Sequence, residues 1–130
     1  MNEQTLFVGS YSSMDKPGIH AFHFDEWSGS LIAWDSFSGV TNPSFLTVHP
    51  NGRWLYAVSE TGLADDGRQG TVYAFRIDRD PVTCQLANYQ STGGDWPCHL
   101  SIDGSGRWLL ASNYGTGSAA VLPILPDGTL

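Results

Sequence analysis

The chain has 130 residues, 41% hydrophobic and 12% aromatic with only 15% charged, a balance that excludes an intrinsically disordered polymer. Six basic against thirteen acidic side chains leave a formal charge of −7, which excludes the broad cationic face that nucleic acid or an anionic membrane requires. No apolar run approaches the roughly 18 residues of a membrane span, and the start Met-Asn-Glu-Gln-Thr lacks a basic-then-apolar leader, so the expected location is cytoplasmic.

Along the chain, Leu6-Phe7-Val8-Gly9-Ser10-Tyr11 alternates like a strand, and "GIHAFHFD" from Gly18 to Asp25 reads as its partner. A third strand completes this group by about Gly39. Next comes "NPSFLTVHPNGRWLYAVSE" from Asn42 to Glu60, written again as "WPCHLSIDGSGRWLLASNY" from Trp96 to Tyr114. The two copies lie 54 positions apart, and the first group precedes the full unit by 49. A period near 50 made only of strands is the spacing of a propeller blade.

Within the full unit, strand A is expected over Ser44–His49, ended by Pro50-Asn51-Gly52, whose Asn-Gly pair suits the positive φ angles of a tight hairpin. Strand B spans Trp54–Ser59, rich in aromatic and β-branched residues. A polar loop from Thr61 to Gln69 leads to strand C at Thr71–Ile77, and a turn through Asp78-Arg79-Asp80-Pro81 feeds strand D near Cys84–Gln90. No helical stripe survives the glycine and proline punctuation.

The expected fold is therefore all-β, a β-propeller of four-stranded antiparallel blades. Residues 1-41 supply strands B to D of a first blade, 42-95 one complete blade, and 96-130 the start of the next. About two and a half blades fall short of the four to eight of a closed ring, so the sequence reads as the N-terminal portion of a longer chain. A first blade without its own strand A suits a ring closed by a strand from the far C-terminus. Exposed blade faces and unpaired edges are expected to drive self-association.

Up-and-down blades bring the start of A, the end of B, the start of C and the end of D to one mouth of the central channel. Residues shared by the copies build the blade, so residues that differ at equivalent mouth positions are candidates for a site. His99 stands where Phe45 stands, and Glu60 where Tyr11 and Tyr114 stand. Imidazole can move protons near neutral pH, and a carboxylate can act as a base or orient water. Asn113 either fixes the Tyr114-Gly115 loop or contacts a ligand. Arg68 and Lys16, on loops between B and C, are the basic groups on offer for a phosphate.

His20, His23, His49, Arg53 and Arg107 are assigned to the framework, and Cys84 and Cys98 to packing. No phosphate-cradling, zinc-protease or nucleophile-elbow motif is present, and Asp65-Asp66-Gly67 is too short for a calcium loop.

"LFVGSY", "GIHAFHFD", the two long copies and "GTVYAFRID", in this order and spacing, resemble the N-terminal part of the seven-bladed propeller lactonases over essentially the whole chain. That family includes 6-phosphogluconolactonases of the cycloisomerase-like type and is related to fungal 3-carboxymuconate lactonizing enzymes. The resemblance implies a ring of about 350 residues that hydrolyses a sugar lactone, 6-phosphogluconolactone foremost, without metal or organic cofactor. The small-molecule lactone is then the expected partner.

The family's Pro-x-His segment falls on Pro97, Cys98 and His99, and its Asn-Glu segment on Ser59 and Glu60, with Ser59 departing from the pattern. His99 and Glu60 become the catalytic candidates, and Asn113 and Arg68 the substrate-binding ones. Further His, Arg and Glu residues would come from later blades, so these 130 residues alone are expected to be inactive. Two alternatives share the mouth: a propeller that only binds a ligand or protein, and a lactone-forming cycloisomerase.

Overall fold

The computed structural model describes residues 3–130, with Glu3 and Asp66 described through their backbone alone. Three antiparallel sheets follow one another along the chain. The first holds β1 (Glu3–Gly9), β2 (Ile19–Asp25) and β3 (Leu31–Phe37). The second holds β4 (Leu46–Val48), β5 (Trp54–Ser59), β6 (Thr71–Arg79) and β7 (Val82–Ser91), and the third β8 (Pro97–Ile102), β9 (Trp108–Asn113) and β10 (Ser118–Pro123). Within each sheet, sequence neighbours are spatial neighbours, the up-and-down order of a propeller blade.

Stacking of the sheets explains the burial along β5, where every residue is enclosed. Strand side chains alternate between faces. Trp54, Tyr56 and Val58 join Leu100, Leu109, Ala111, Ile124 and Leu130 in the core between the second and third blades. Leu55 and Ala57 face the other way and meet Ile19, Val40, Tyr73, Phe75 and Ile77 in the core between the first and second. Its repeat counterpart β9 buries only Leu109, Ala111 and Asn113 and exposes the residues between them.

The seam between second and third blades shows why particular residues are needed. Trp54 lies so close to Gly128 that a Cβ there would stand 2.0 Å from the indole. Beside it, the Tyr56 hydroxyl donates to the Gly128 carbonyl at 2.8 Å. Burial pushes the Tyr56 phenol up to about 12, so it remains a donor. The Asn88 amide exchanges two hydrogen bonds with the Leu130 backbone, at 2.7 and 3.1 Å.

Three local expectations are corrected. Thr61–Gln69 is not loop throughout: one helical turn, α1 (Leu63–Asp66), forms because the Asp65 carboxylate accepts the Gly62 N–H at 2.9 Å, and Gly67 ends it at φ 75°. Strand A of the second blade keeps only Leu46–Val48, since the Ser44 N–H turns back to the Asn42 carbonyl at 2.8 Å. The Asn51-Gly52 turn uses a positive φ at Gly52 alone (70°), and the Asn51 side chain instead accepts the Arg53 N–H at 2.9 Å.

Candidate functional site

The site is built on a backbone feature that both copies share. Asn42 and Trp96, each just before a proline, adopt φ angles of 49° and 55°. Left-handed backbone is unfavourable for residues other than glycine, least so for asparagine, and more so before proline, so such a residue must be held from outside. Asn42 is held four ways: its N–H donates to the Ser12 carbonyl (2.8 Å), its Oδ1 accepts the Ser12 N–H (3.1 Å), and its carbonyl accepts from Ser44 (2.8 Å) and Glu60 (3.1 Å). Trp96 donates its N–H to Thr61 (2.9 Å), accepts from Tyr114 (3.0 Å), and donates its indole N–H to Asp65 at 2.7 Å.

The prolines that follow are buried against glycines. A Cβ at Gly70 would stand 2.1 Å from Pro97 Cδ, and one at Gly18 would stand 2.7 Å from Pro43 Cγ. Each left-handed residue thus fixes how the next dipeptide, Ser44-Phe45 or Cys98-His99, enters its blade.

His99 is exposed at the start of β8, and its ring rests against Phe45 with centroids 4.6 Å apart and planes at 49°. The equivalent residues of two adjacent blades therefore meet at the mouth. Glu60 follows β5 and is half-buried. Its Oε2 accepts the Tyr11 hydroxyl at 2.9 Å and also the Ser44 hydroxyl. The hydrogen bond to Glu60, with some burial and the repulsion of that charge, raises the Tyr11 phenol above its ordinary value. Tyr11 therefore stays a neutral donor at physiological pH.

The structure brings His99 and Glu60 to the same end of the molecule, joined through Ser44-Phe45, with no hydrogen bond between them among the described contacts. Asn113 is placed differently. It is buried beneath the Tyr114-Gly115 turn, with its Nδ2 donating to the Thr92 carbonyl (3.2 Å) and the Ser118 hydroxyl (3.1 Å), while its Oδ1 has no partner. Arg68 lies on the exposed stretch between α1 and β6. The α1 loop is tied to the next blade through Asp65–Trp96 and through the Leu63 N–H on Asp95 at 3.4 Å.

Sequence reasoning did not place Tyr11 and Ser44 in the site. Their signal was available: Tyr11 occupies the Glu60 position of the first blade, and Ser44 the Cys98 position of the second. Cys98 and Cys84 are both free thiols, and burial pushes Cys84 up to about 12. No group of three or more His, Cys, Asp or Glu side chains that could hold a metal is present among the described residues.

A cleft of about 560 Å3 lies at the opposite end, lined by Arg53, Trp54, Arg76, Asp78, Arg79 and Asp127 among others. Two of its arginines are already engaged, Arg79 on the Gly52 carbonyl at 2.8 Å and Arg76 on Asp78 at 3.3 Å. Neither His99 nor Glu60 reaches it. The mouth is the better candidate because it is where the repeated framework departs from itself.

A sequence profile of the family described as "Lactonase, 7-bladed beta-propeller" matches residues 5–130. Among curated proteins, the chain is 37% identical to the 6-phosphogluconolactonase of Formosa agariphila, covering 96% of this chain and 35% of that protein. It is 31% identical to the 6-phosphogluconolactonase of Bacillus subtilis, covering 100% of this chain and 36% of the relative. Among solved structures, the periplasmic gluconolactonase of Pseudomonas aeruginosa superposes with a TM-score of 0.83 at 32% identity, over 97% of this chain and 36% of that one. The chain thus spans about a third of the length of the relatives it matches.

Proposed function

The chain belongs to the seven-bladed β-propeller lactonase family, and on that footing we propose that the whole protein hydrolyses a sugar lactone, 6-phosphogluconolactone to 6-phosphogluconate, at the mouth that carries His99. The names of the Formosa and Bacillus relatives support the substrate. The observation that carries the site is the exposed imidazole of His99, seated on Phe45 at the one position where the second copy of the repeat exchanges an apolar ring for a titratable one.

In the proposed reaction, water attacks the lactone carbonyl carbon and forms a tetrahedral intermediate. His99 accepts the proton that the water loses as the C–O bond forms. The ring C–O bond then breaks, and its oxygen leaves as the sugar hydroxyl on receiving a proton from the imidazolium. The carbonyl re-forms as a carboxylic acid, which releases its proton to solvent to give the carboxylate, and His99 returns neutral. Glu60 stands ready to orient the imidazole or hold sugar hydroxyls, Arg68 to meet the phosphate, and Asn113 to contact substrate or hold the Tyr114 loop.

The test is lactone hydrolysis by the full-length protein, corrected for spontaneous ring opening, with wild type and His99→Ala side by side. Loss of a general base lowers turnover by about 100-fold or more. Undiminished turnover in the variant removes His99 from the chemistry.

Among the described residues no helix is long and apolar enough to cross a membrane. The compartment we propose is the cytoplasm, where Cys84 and Cys98 would remain thiols. Since the Pseudomonas structure is described as periplasmic, cell fractionation decides between the two.

A further inference from the structure

The geometry around Glu60 divides the carboxylate into two unlike oxygens. Oε2 receives both hydroxyl donors, Tyr11 from the first blade and Ser44 from the second. Among the described residues nothing bonds Oε1. The Glu60 N–H is fixed as well, on the Asn42 carbonyl at 3.1 Å, and Asn42 is itself fixed by Ser12 of the first blade. The carboxylate is thus anchored at backbone and at one oxygen, by groups from both sides of a seam.

We propose that Tyr11 and Ser44 are positioning residues that clamp Glu60 through Oε2 and present Oε1 as the acceptor for a hydroxyl of a polyhydroxylated lactone. This rests on the lactonase reading and deepens it, because it assigns Glu60 to recognition of the sugar rather than to orienting His99.

Three points support the assignment. A carboxylate that orients an imidazole must accept its N–H, and no such bond joins Glu60 to His99, whose ring contact is with Phe45. A fixed carboxylate with one open oxygen has the form of a hydroxyl receptor: charged acceptors make strong hydrogen bonds, and pre-ordering them lowers the entropy lost on binding. The third blade offers a contrast. Tyr114 occupies the Glu60 position there and Cys98 the Ser44 position, so that blade carries neither the carboxylate nor the serine hydroxyl. Among the described residues the receptor therefore belongs to the first seam and not to the second.

The discriminating experiment uses the full-length protein with 6-phosphogluconolactone and measures KM and kcat for Tyr11→Phe, Ser44→Ala, Glu60→Ala and the Tyr11→Phe/Glu60→Ala double variant. An interaction made equally in ground and transition states appears in KM. Tyr11→Phe is expected to raise KM about tenfold while changing kcat less than about twofold, and to add nothing once Glu60 is gone. A fall in kcat at constant KM, additive effects in the double variant, or a silent Tyr11→Phe each overturn the proposal. If Tyr11→Phe alone lowers the melting temperature, Ser44→Ala carries the same comparison.

Calorimetric titration with 6-phosphogluconate separates this proposal from the lactonase reading. A wild type that binds the hydroxy acid without hydrolysing the lactone removes the lactonase reading. Tenfold weaker binding by Tyr11→Phe then still upholds the receptor, whereas unchanged affinity, or no binding by the wild type, overturns it.

Discussion

At the scale of single residues, the left-handed backbone before Pro43 and Pro97 is the least expected feature of the mouth. Nothing in an Asn-Pro or Trp-Pro pair announces it, and local preference argues against it. The sheet network imposes it, with four hydrogen bonds converging on Asn42. Asn42→Ala should therefore lower stability by about 1–2 kcal/mol, losing both the bond to Ser12 and the tolerance of asparagine for this conformation. Asn42→Gly keeps the conformation and should lose less. Chemical denaturation of the two variants makes the comparison, and equal losses would show that backbone geometry is not the reason.

The exchange of Phe45 for His99 was legible in the sequence because the copies align without gaps. The clamp on Glu60 was not, because Tyr11, Ser44 and Glu60 lie on separate loops, and only the stacking of blades brings them together. Asn113 shows the opposite limit. Its place at the end of strand B was readable, but the direction of its amide, into Thr92 and Ser118 beneath the turn, depends on packing.

At the scale of elements, strand order, the extent of strand B and the hairpin turns could be read from alternation and turn residues. The α1 turn could not, because it rests on one aspartate side chain and a docking contact from Trp96. The turns between strands A and B are instructive, since equivalent positions do the same work with different chemistry. In the second blade, His49 Nδ1 accepts the Asn51 N–H at 3.1 Å, so its Nε2 carries the hydrogen donated to Gly106 of the next blade at 2.9 Å. In the third blade, Asp103 accepts the Ser105 hydroxyl at 2.6 Å and the N–H groups of Ser105, Arg107 and Trp108.

These bonds, the Ser105 hydroxyl first, lower Asp103 from 3.8 to about 2. Its folded value lies below its unfolded one, so its contribution to stability is present above about pH 4 and lost as pH falls toward 2. Melting temperature measured from pH 5 to pH 2 should decline through that window and decline less in Asp103→Asn. Parallel acid limbs in the two proteins would remove Asp103 as a cause.

At the scale of the whole molecule, the outer faces of the first and third blades carry apolar side chains without cover: Leu6 and Val8 on one, Trp108, Leu110 and Val121 on the other. Faces of this kind bury themselves against one another in water. The 130-residue chain expressed alone should associate as its concentration rises, and Val8→Glu with Trp108→Glu should suppress this. Sedimentation velocity reads both, and a chain that stays monomeric throughout would remove the expectation.

The seam between Trp54 and Gly128 gives that association a direction. The tryptophan of the second blade fills a notch in the third, and the chain carries the same pair at its two ends, Trp108 as a key on one side and the Gly29 turn as a lock on the other. Trp54 is 9% exposed in its lock, whereas its twin Trp108 is 44% exposed. At the far end Gly29, which shares the turn position of Gly128, has nothing within 4 Å of where a Cβ would be. Such an interface is heterologous. It has no two-fold axis, so units that join through it form no symmetric pair; they extend head to tail until the accumulated rotation returns to the start, or grow without limit as a filament.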